Sequence, residues 1–144
     1  MDLDGLRVVE LGCGLGLPSI AAARAGAGVL ATDACDEALA LATRNARLNG
    51  VSVETAAVDW TAPAELVPGA PFDVVLAADV LYEQESVAPL LTLLPYLAPQ
   101  AWLAEPGRPA AADFIERASK RWRVDTRVRG VVRIHRLRLG EPIS

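Results

Sequence analysis

The sequence has few of the residues that most often mark a metal centre or a disulfide framework. Its 144 residues include two cysteines, Cys13 and Cys35, and a single histidine, His135. Two cysteines cannot build a disulfide framework, so a thiol-reducing compartment is the simpler expectation. With so few soft or imidazole ligands, we predict no metal site.

Long hydrophobic runs are absent as well. Uncharged stretches such as 38–43 and 87–102 are too short or too interrupted by proline to span a bilayer. No basic segment followed by an apolar stretch stands at Met1, so no secretory signal is predicted. These features favour a cytoplasmic protein that does not enter a membrane.

The length and the apolar content indicate a folded chain with one core. Hydrophobic residues make up 52% of the sequence, which excludes a disordered chain, and charged residues make up 22%. A chain of 144 residues leaves little room for a second core. We therefore predict one domain over residues 1–144.

Lysine is nearly absent, since Lys120 is the only one, and the charges are unevenly distributed. Residues 1–104 carry 13 acidic and 4 basic side chains, a net charge of -9, whereas residues 105–144 carry 5 and 10, a net charge of +5. A basic segment can bind nucleic acid, or it can place arginines outward on an edge strand. The alternation in 126–129 favours the edge strand, so no nucleic-acid partner is predicted.

Apolar runs alternate with segments of helical spacing along most of the chain. Strands are predicted at 6–11, 27–32, 51–58, 72–78, 101–104, 124–129 and 131–139. Helices are predicted at 18–26, 36–48, 85–97 and 110–121, with Asp36 as the N-cap of the second, and a loop at 61–71. This order predicts an α/β fold in which a doubly wound, mostly parallel sheet of seven strands ends in an antiparallel strand.

The last predicted strand has an inconsistent pattern. Val132 and Ile134 share one face of a regular strand, but Leu137 and Leu139 lie on the other. A bulge near His135 would bring all four to one face. Because His135 stands in this Arg-rich edge segment, it is predicted to be solvated and not catalytic.

The first strand, loop and helix have the composition of a ligand-binding turn. Gly12, Gly14 and Gly16 follow the strand, and glycines there let a ligand approach the backbone and the helix N-terminus. Asp33 ends the next strand, where a carboxylate can accept the hydroxyls of a ribose. Glu10 precedes the loop; a carboxylate suits an ammonium group better than a pyrophosphate. The spacing favours a nucleoside that carries an amino acid over a dinucleotide.

Five segments of the sequence resemble class I S-adenosylmethionine-dependent methyltransferases. The opening of that family is similar to two segments here, VVELGCGLGLPSIAAARAGA and LATDACDEALALATRNARLNG. Its adenine-binding segment is similar to AVDW. The segment FDVVLAADVLYE resembles the methyltransferase-16 group of protein-lysine methyltransferases, marked by Asp-x-x-Tyr, here Asp79 to Tyr82. The segment WLAEPGRP resembles electron-transfer-flavoprotein β-subunit lysine methyltransferases and their bacterial relatives. The resemblance covers residues 6 to about 110 and implies a Rossmann-like methyltransferase sheet.

The resemblance implies S-adenosyl-L-methionine as cofactor and assigns residues to its methionine part. Glu10 would reach the amino group of the cofactor directly or through water. The loop beneath the methionine part would consist of Gly12, Cys13, Gly14 and Gly16. Cys13 is expected to be a small packing residue and not a nucleophile.

The same resemblance assigns the nucleoside part of the cofactor. Asp33 would hold the ribose hydroxyls, and Asp59 would accept a hydrogen bond from the adenine amine. Trp60 would cover the adenine ring, and Ala78 would offer backbone contact at the end of the fourth strand. All four lie at carboxyl ends of predicted parallel strands, where ligands bind in such sheets.

Asp79 and Tyr82 are the candidate catalytic residues, because they follow the fourth strand about one turn apart. Asp79 would accept a hydrogen bond from an incoming amine, and Tyr82 would supply an aromatic wall and a hydroxyl. The implied partner is the lysine side chain of a protein, or alternatively a small-molecule amine. A structural interpretation, in which Asp79 caps the next helix and Tyr82 packs beneath it, stays open.

Nucleic-acid methylation and cofactor binding without catalysis are two alternative functions of such a core. Nucleic-acid methyltransferases that act on exocyclic amines carry two prolines after the fourth strand, where this chain has Val80 and Leu81. The chain also begins close to its first strand, whereas the family places a substrate-shaping segment before it. A missing N-terminal cap segment would make the chain a truncated copy, an enzyme completed by a partner, or a cofactor-binding core without activity.

Overall fold

The computed structural model describes residues 2–61 and 67–140. Helices and strands alternate along most of the described residues, as the sequence predicted. The strands are β1 (Arg7–Leu11), β2 (Gly28–Asp33), β3 (Glu54–Ala57), β4 (Val74–Ala78), β5 (Gln100–Glu105), β6 (Trp122–Arg129) and β7 (Val132–Leu139). The helices are α1 (Leu17–Arg24), α2 (Asp36–Leu48), α3 (Val87–Leu97) and α4 (Pro109–Ala118), with a 3₁₀ turn at Gln84–Ser86 before α3.

The strands form one sheet in the order β3-β2-β1-β4-β5-β7-β6. The first five strands are parallel to one another, and β7 is antiparallel to both β5 and β6. The predicted α/β sheet with an antiparallel last strand is therefore confirmed. Because β1 and β4 are neighbours in its centre, the loops after β1, β2 and β4 meet at one edge.

Helices cover the sheet on both faces. Side chains of α3 and α4 pack with Val9, Val75 and Leu103 in the larger core. Side chains of α1 and α2 pack on the opposite face in two smaller clusters. Consecutive residues of β1 and β4 are buried on both sides, which explains their near-continuous apolar runs.

Some element boundaries differ from the sequence prediction. The edge strand β3 covers four residues instead of the predicted eight, because only 54–57 pair with β2. Helix α2 has Cys35 at its N-cap, and Asp36 is its first residue, so the predicted cap was wrong by one position. Residues 62–66 of the predicted 61–71 loop lie outside the described residues.

The structure of β7 shows that two predictions about His135 were wrong. The pairing of β7 with β5 and β6 runs without a bulge, so His135 lies on the same face as Leu137 and Leu139. The His135 side chain is buried, with 5% of its surface exposed, and is not solvated. The antiparallel register places it inside because its partner on β5 is the buried Leu103.

The arginines of β6 follow the predicted edge-strand pattern. Arg123, Arg127 and Arg129 share one face of the strand and are exposed, and β6 is the terminal strand of the sheet. In residues 2–61 and 67–140, no helix is long and apolar enough to cross a membrane.

Candidate cofactor and acceptor site

A cavity of about 480 Å³ opens at the carboxyl ends of β1, β2, β3 and β4. It brings together residues that lie up to 77 positions apart in the sequence, from Gly12 to Pro89. Seven of the predicted functional residues line it: Gly12, Gly14, Asp33, Asp59, Trp60, Asp79 and Tyr82. The cavity lies where ligands bind in open α/β sheets.

The loop after β1 takes a conformation that requires glycine. Gly12, Gly14 and Gly16 all have positive φ, at 63°, 50° and 84°. A Cβ on Gly12 would lie 2.9 Å from Val80 Cγ1 and 3.4 Å from Trp60 Cζ2, so a side chain there would close the base of the cavity. The glycines thus keep the backbone in contact with the space that a ligand would fill.

Asp33 joins the first two loops of the cavity. Its Oδ2 accepts a hydrogen bond of 3.1 Å from the backbone N–H of Gly14, and its Oδ1 accepts one of 2.9 Å from Cys35. The side chain is only half-buried and faces the cavity. A carboxylate can accept about four hydrogen bonds, so Asp33 retains capacity for hydroxyl donors of a ligand.

Glu10 lies beneath the cavity and does not line it. The side chain is 1% exposed, and its Oε1 accepts hydrogen bonds from the Ser19 hydroxyl (2.7 Å) and the Ser19 N–H (3.1 Å). Burial raises the pKa of Glu10 to about 7, although the bonds from Ser19 oppose that shift. Glu10 therefore links β1 to α1 through Ser19.

The raised pKa of Glu10 predicts an unusual pH dependence of stability. Between pH 4.5 and about 7 the folded state holds a proton that the unfolded state has lost, so stability falls as pH rises through this window. We expect a loss of about 3 kcal/mol, since each unit of pKa difference corresponds to about 1.4 kcal/mol. Urea unfolding of the wild type at pH 4.5 and pH 8 measures it.

The control for this prediction is Glu10→Gln, which keeps an oxygen for both Ser19 bonds and cannot ionise. Its free energy of unfolding should change much less between the two pH values. An equal pH dependence in both proteins would show that Glu10 is not the group responsible.

Asp59 and Trp60 lie together at the end of β3. Asp59 is exposed, and its Oδ1 accepts bonds from the N–H (2.9 Å) and the hydroxyl (2.8 Å) of Thr61. These hydrogen bonds hold the pKa of Asp59 below its usual value. Trp60 is half-buried and presents its ring to Gly12 and the cavity.

Asp79 has the most constrained geometry in the cavity. Its φ of +50° is the only positive one among the described residues other than glycine. Its N–H donates to the Ala104 carbonyl at 2.8 Å, and its carboxylate receives the Arg108 guanidinium at 2.7 and 2.9 Å. The bonds from Arg108 hold the pKa of Asp79 below its usual value.

Tyr82 is 64% exposed at the rim of the cavity and does not pack beneath α3. Its ring is therefore free to form part of a wall against a bound group.

The other predicted residues do not line the cavity; they lie in the core or in the backbone of the elements that surround it. Cys13 is buried against α2, and burial raises the pKa of its thiol to about 12, which fits a packing role. Gly16 is the N-cap of α1 and lies against Ala42. Ala78 ends β4, where it pairs with Ala104.

Arg108 was not among the residues predicted for the site. The sequence did contain a signal, because Glu105 ends β5, which pairs with β4, and Gly107 and Arg108 follow directly after it. Only the tertiary structure shows that the guanidinium turns back to Asp79, 29 residues earlier.

These side chains fit S-adenosylmethionine. Asp33 and Asp59 offer acceptors for ribose hydroxyls and an exocyclic amine, Trp60 offers an aromatic surface, and Gly12 leaves the space that a Cβ would fill. The fold and this set of residues are those of a class I S-adenosylmethionine-dependent methyltransferase.

Comparison with known proteins supports this class and adds the family. The sequence pattern of the family described as lysine methyltransferase matches residues 1–103, and the chain belongs to that family. Protein N-lysine methyltransferase METTL21A of Danio rerio is 37% identical over 103 residues, which cover 68% of this chain and 47% of that protein. A ubiquinone biosynthesis O-methyltransferase of Rhizobium johnstonii is 42% identical over 79 residues, 55% of this chain and 31% of that protein.

Solved structures share the fold over nearly the whole chain. Magnesium protoporphyrin IX methyltransferase from Synechocystis PCC 6803 with bound SAM matches with a TM-score of 0.76 and 25% identity, over 96% of this chain and 72% of that one. The ribosomal protein L11 methylase of Lactobacillus delbrueckii subsp. bulgaricus matches with a TM-score of 0.73 and 26% identity, with the same coverage of both chains. This chain spans about half the length, or less, of the two curated relatives.

Proposed function

We propose that this protein transfers a methyl group from S-adenosylmethionine to the side-chain amine of a protein lysine. The observation that carries the proposal is the position of Asp79. Its carboxylate lines the same cavity as Asp33 and Trp60, but it follows β4, whereas Asp33 ends β2 and Trp60 follows β3. One cavity thus offers a nucleoside site and, beside it, a carboxylate for an amine.

The residues on the acceptor side have a defined task in this proposal. An amine with a pKa near 10.4 is about 3.4 units from its neutral form at pH 7, which costs roughly 4.6 kcal/mol. Asp79 accepts a hydrogen bond from the neutral amine and directs its lone pair into the cavity. Tyr82 forms an aromatic wall that displaces water from the amine, which favours the neutral form.

The residues on the cofactor side bind S-adenosylmethionine and fix its orientation. Asp33 holds the ribose hydroxyls, Asp59 accepts from the adenine amine, and Trp60 covers the adenine ring at roughly 1–3 kcal/mol for a stacked base. When bound, the cofactor supplies a methyl group on a positively charged sulfur. In this proposal Glu10 acts on its amino group through water or through the backbone of the loop, since Glu10 lies below the cavity.

The family resemblance extends the proposal in two respects. The segment from Trp102 to Pro109 resembles electron-transfer-flavoprotein β-subunit lysine methyltransferases and their bacterial relatives, so we propose that the chain belongs to this branch. We also propose that residues 1–144 form a single cofactor-binding domain.

Loss of the Asp33 carboxylate is expected to weaken cofactor binding. Asp33→Ala should raise the Kd for S-adenosylmethionine by roughly 10- to 150-fold, the effect of losing about 1.5–3 kcal/mol from hydrogen bonds to a charged group. Titration calorimetry measures this. Asp36→Ala is the matched control, because Asp36 is exposed, three residues away and outside the cavity lining. An unchanged Kd in a folded Asp33→Ala variant would contradict the cofactor assignment.

Labelled methyl transfer tests the proposed activity. The purified chain is first titrated with S-adenosylmethionine and then incubated with the radiolabelled cofactor and a cell lysate separated into protein and small-molecule fractions. Label in protein, recovered as methylated lysine after hydrolysis, supports the proposal. Label only in the small-molecule fraction would favour a small-molecule amine methyltransferase, and binding without transfer would identify a cofactor-binding core that lacks activity of its own.

A further inference from the structure

The negative charge of the cavity disfavours the neutral form of the amine that the proposed reaction requires. Four carboxylates line it, those of Asp33, Asp59, Asp79 and Glu85, and none of the described residues lining it is basic. Such a site attracts a lysine ammonium group, but the same negative charge raises the pKa of that group. A protonated amine has no lone pair to receive a methyl group, so attraction alone would hold the acceptor in its unreactive form.

Arg108 supplies a positive charge at the point where the amine would bind. Its Nε donates to Asp79 Oδ1 at 2.7 Å and its Nη2 to Oδ2 at 2.9 Å, which is a two-point pair that fixes the plane of the carboxylate. A carboxylate has about four lone-pair sites, so the two that Arg108 occupies leave others for an amine.

We propose that Arg108 is a positioning residue for the methyl acceptor, which fixes the orientation of Asp79 and offsets its charge. The inference rests on the proposed function, since it takes the acceptor to be an amine beside Asp79. With the guanidinium in place, Asp79 orients the amine without retaining it as an ammonium ion, and the proton that the amine loses passes to solvent.

A buried pair of residues holds Arg108 in this place. Glu105 Oε2 accepts hydrogen bonds from the backbone N–H groups of Gly107 and Arg108, and Glu105 Oε1 lies 2.9 Å from His135 Nε2. His135 Nδ1 lies 2.8 Å from the Thr126 hydroxyl. Glu105 and His135 are each only 5% exposed. The backbone turn that carries Arg108 is thus attached to the interior of the sheet, whereas the Arg108 and Asp79 side chains, 42% and 48% exposed, form their ion pair at the surface of the cavity rim.

The ionisation of these groups agrees with that arrangement. Burial alone would raise the pKa of Glu105, but hydrogen bonds from His135, Gly107 and Arg108 outweigh it and hold that pKa below its usual value. Tyr82 and Glu85 are the other ionisable side chains of the cavity that follow β4, with Asp33 and Asp59 across it. None of these cavity side chains is basic. Arg133 of β7 also lies near the turn, with its Nε 4.0 Å from the position of a Cβ on Gly107, but it is not among the described residues that line the cavity. Arg108 is therefore the cation whose substitution tests the charge beside Asp79.

Proton exchange of the Arg108 side chain tests the pairing without cofactor or acceptor. The Nε–H of Arg108 should exchange with solvent at least about fivefold more slowly than that of Arg117, because it donates a short bond to Asp79. Arg117 lies in helix α4, which begins directly after Arg108, and its Nη1 lies 3.6 Å from Asp113 Oδ2. The protection of Arg108 should disappear in Asp79→Ala. Equal exchange rates for the two arginines in the wild type would overturn the inference.

The pH profile of turnover tests the consequence for the acceptor. With a synthetic lysine-rich peptide as acceptor, Arg108→Gln should move the rising limb of kcat by about 0.5–1 pH unit toward higher pH, because kcat reports ionisations in the bound complex. Arg108→Lys keeps the positive charge, so its pH profile should lie close to that of the wild type. Arg117→Gln should cause no shift. An unmoved limb in Arg108→Gln would overturn the inference, whereas a protein that binds cofactor but methylates no amine would contradict the proposed function and leave the exchange measurement to decide the role of Arg108.

Discussion

Asp79→Asn is expected to lower kcat by about 10²-fold or more while the Kd for S-adenosylmethionine stays nearly constant. Asn is a conservative replacement at this position, because Asn tolerates the positive φ of 50° better than most residues and keeps one acceptor oxygen. It removes the charge and the second acceptor, and therefore the two-point pair with Arg108. A residue that acts on the reacting amine affects turnover and not cofactor binding.

The measurement combines calorimetry and methyl transfer on one preparation of each variant. Tyr82→Phe keeps the aromatic wall and removes only the hydroxyl, so a smaller loss is expected. Asp113→Asn is the matched control, since Asp113 also pairs with an arginine but lies outside the cavity lining. If cofactor affinity fell in parallel with turnover in a folded Asp79→Asn variant, Asp79 would belong to the cofactor site and the assignment would be wrong.

Gly16→Ala is expected to destabilise the fold by about 2–4 kcal/mol, from left-handed backbone strain together with overpacking. Gly16 has φ of 84°, and a Cβ there would lie 2.9 Å from Ala42 Cβ and 3.2 Å from the Ala42 Cα atom of α2. Because the second atom belongs to the backbone of a helix, no side-chain rotation relieves the contact. The variant must separate α1 from α2 or distort the loop after β1.

Gly14→Ala is the matched comparison, because Gly14 also has positive φ, at 50°, but a Cβ there has nothing within 4 Å. It should cost about 1–2 kcal/mol of stability from the backbone alone. Gly14 lines the cavity, however, so the added methyl group should lower cofactor affinity at least about tenfold by occupying space that the cofactor needs.

Urea unfolding and cofactor titration on both glycine variants measure the two effects separately. Gly16→Ala should show the larger loss of stability, and Gly14→Ala the larger loss of affinity relative to its loss of stability. Equal destabilisation by the two substitutions would show that the contact with Ala42 is relieved by local movement.

The cofactor half of the site could be predicted from the sequence for a physical reason. Its parts are local: an apolar strand enters a glycine loop, a helix follows, and an acidic residue such as Asp33 ends the next strand. In a parallel sheet such loops meet at the carboxyl edge whatever the details of packing. The alternation of elements therefore predicted both the fold and the place of the cavity.

Other features depend on contacts between distant segments, and the sequence pattern did not determine them. The direction of Glu10 depends on Ser19, which takes its carboxylate beneath the loop and away from the cavity. The burial of His135 depends on the register of β7 against β5, because a shift of one residue would turn its side chain to the other face.

The acceptor side of the cavity shows most clearly which features the sequence determined and which the tertiary structure decided. The sequence by itself placed Asp79 and Tyr82 after β4, since their spacing and position follow from the strand before them. Only the tertiary structure decided that Asp79 is paired, because β5 brings Arg108 back beside β4 and the buried Glu105 fixes the turn that carries it. Periodicity along a chain reports which residues face the core, but the partner of a charged group is set by which strands become neighbours.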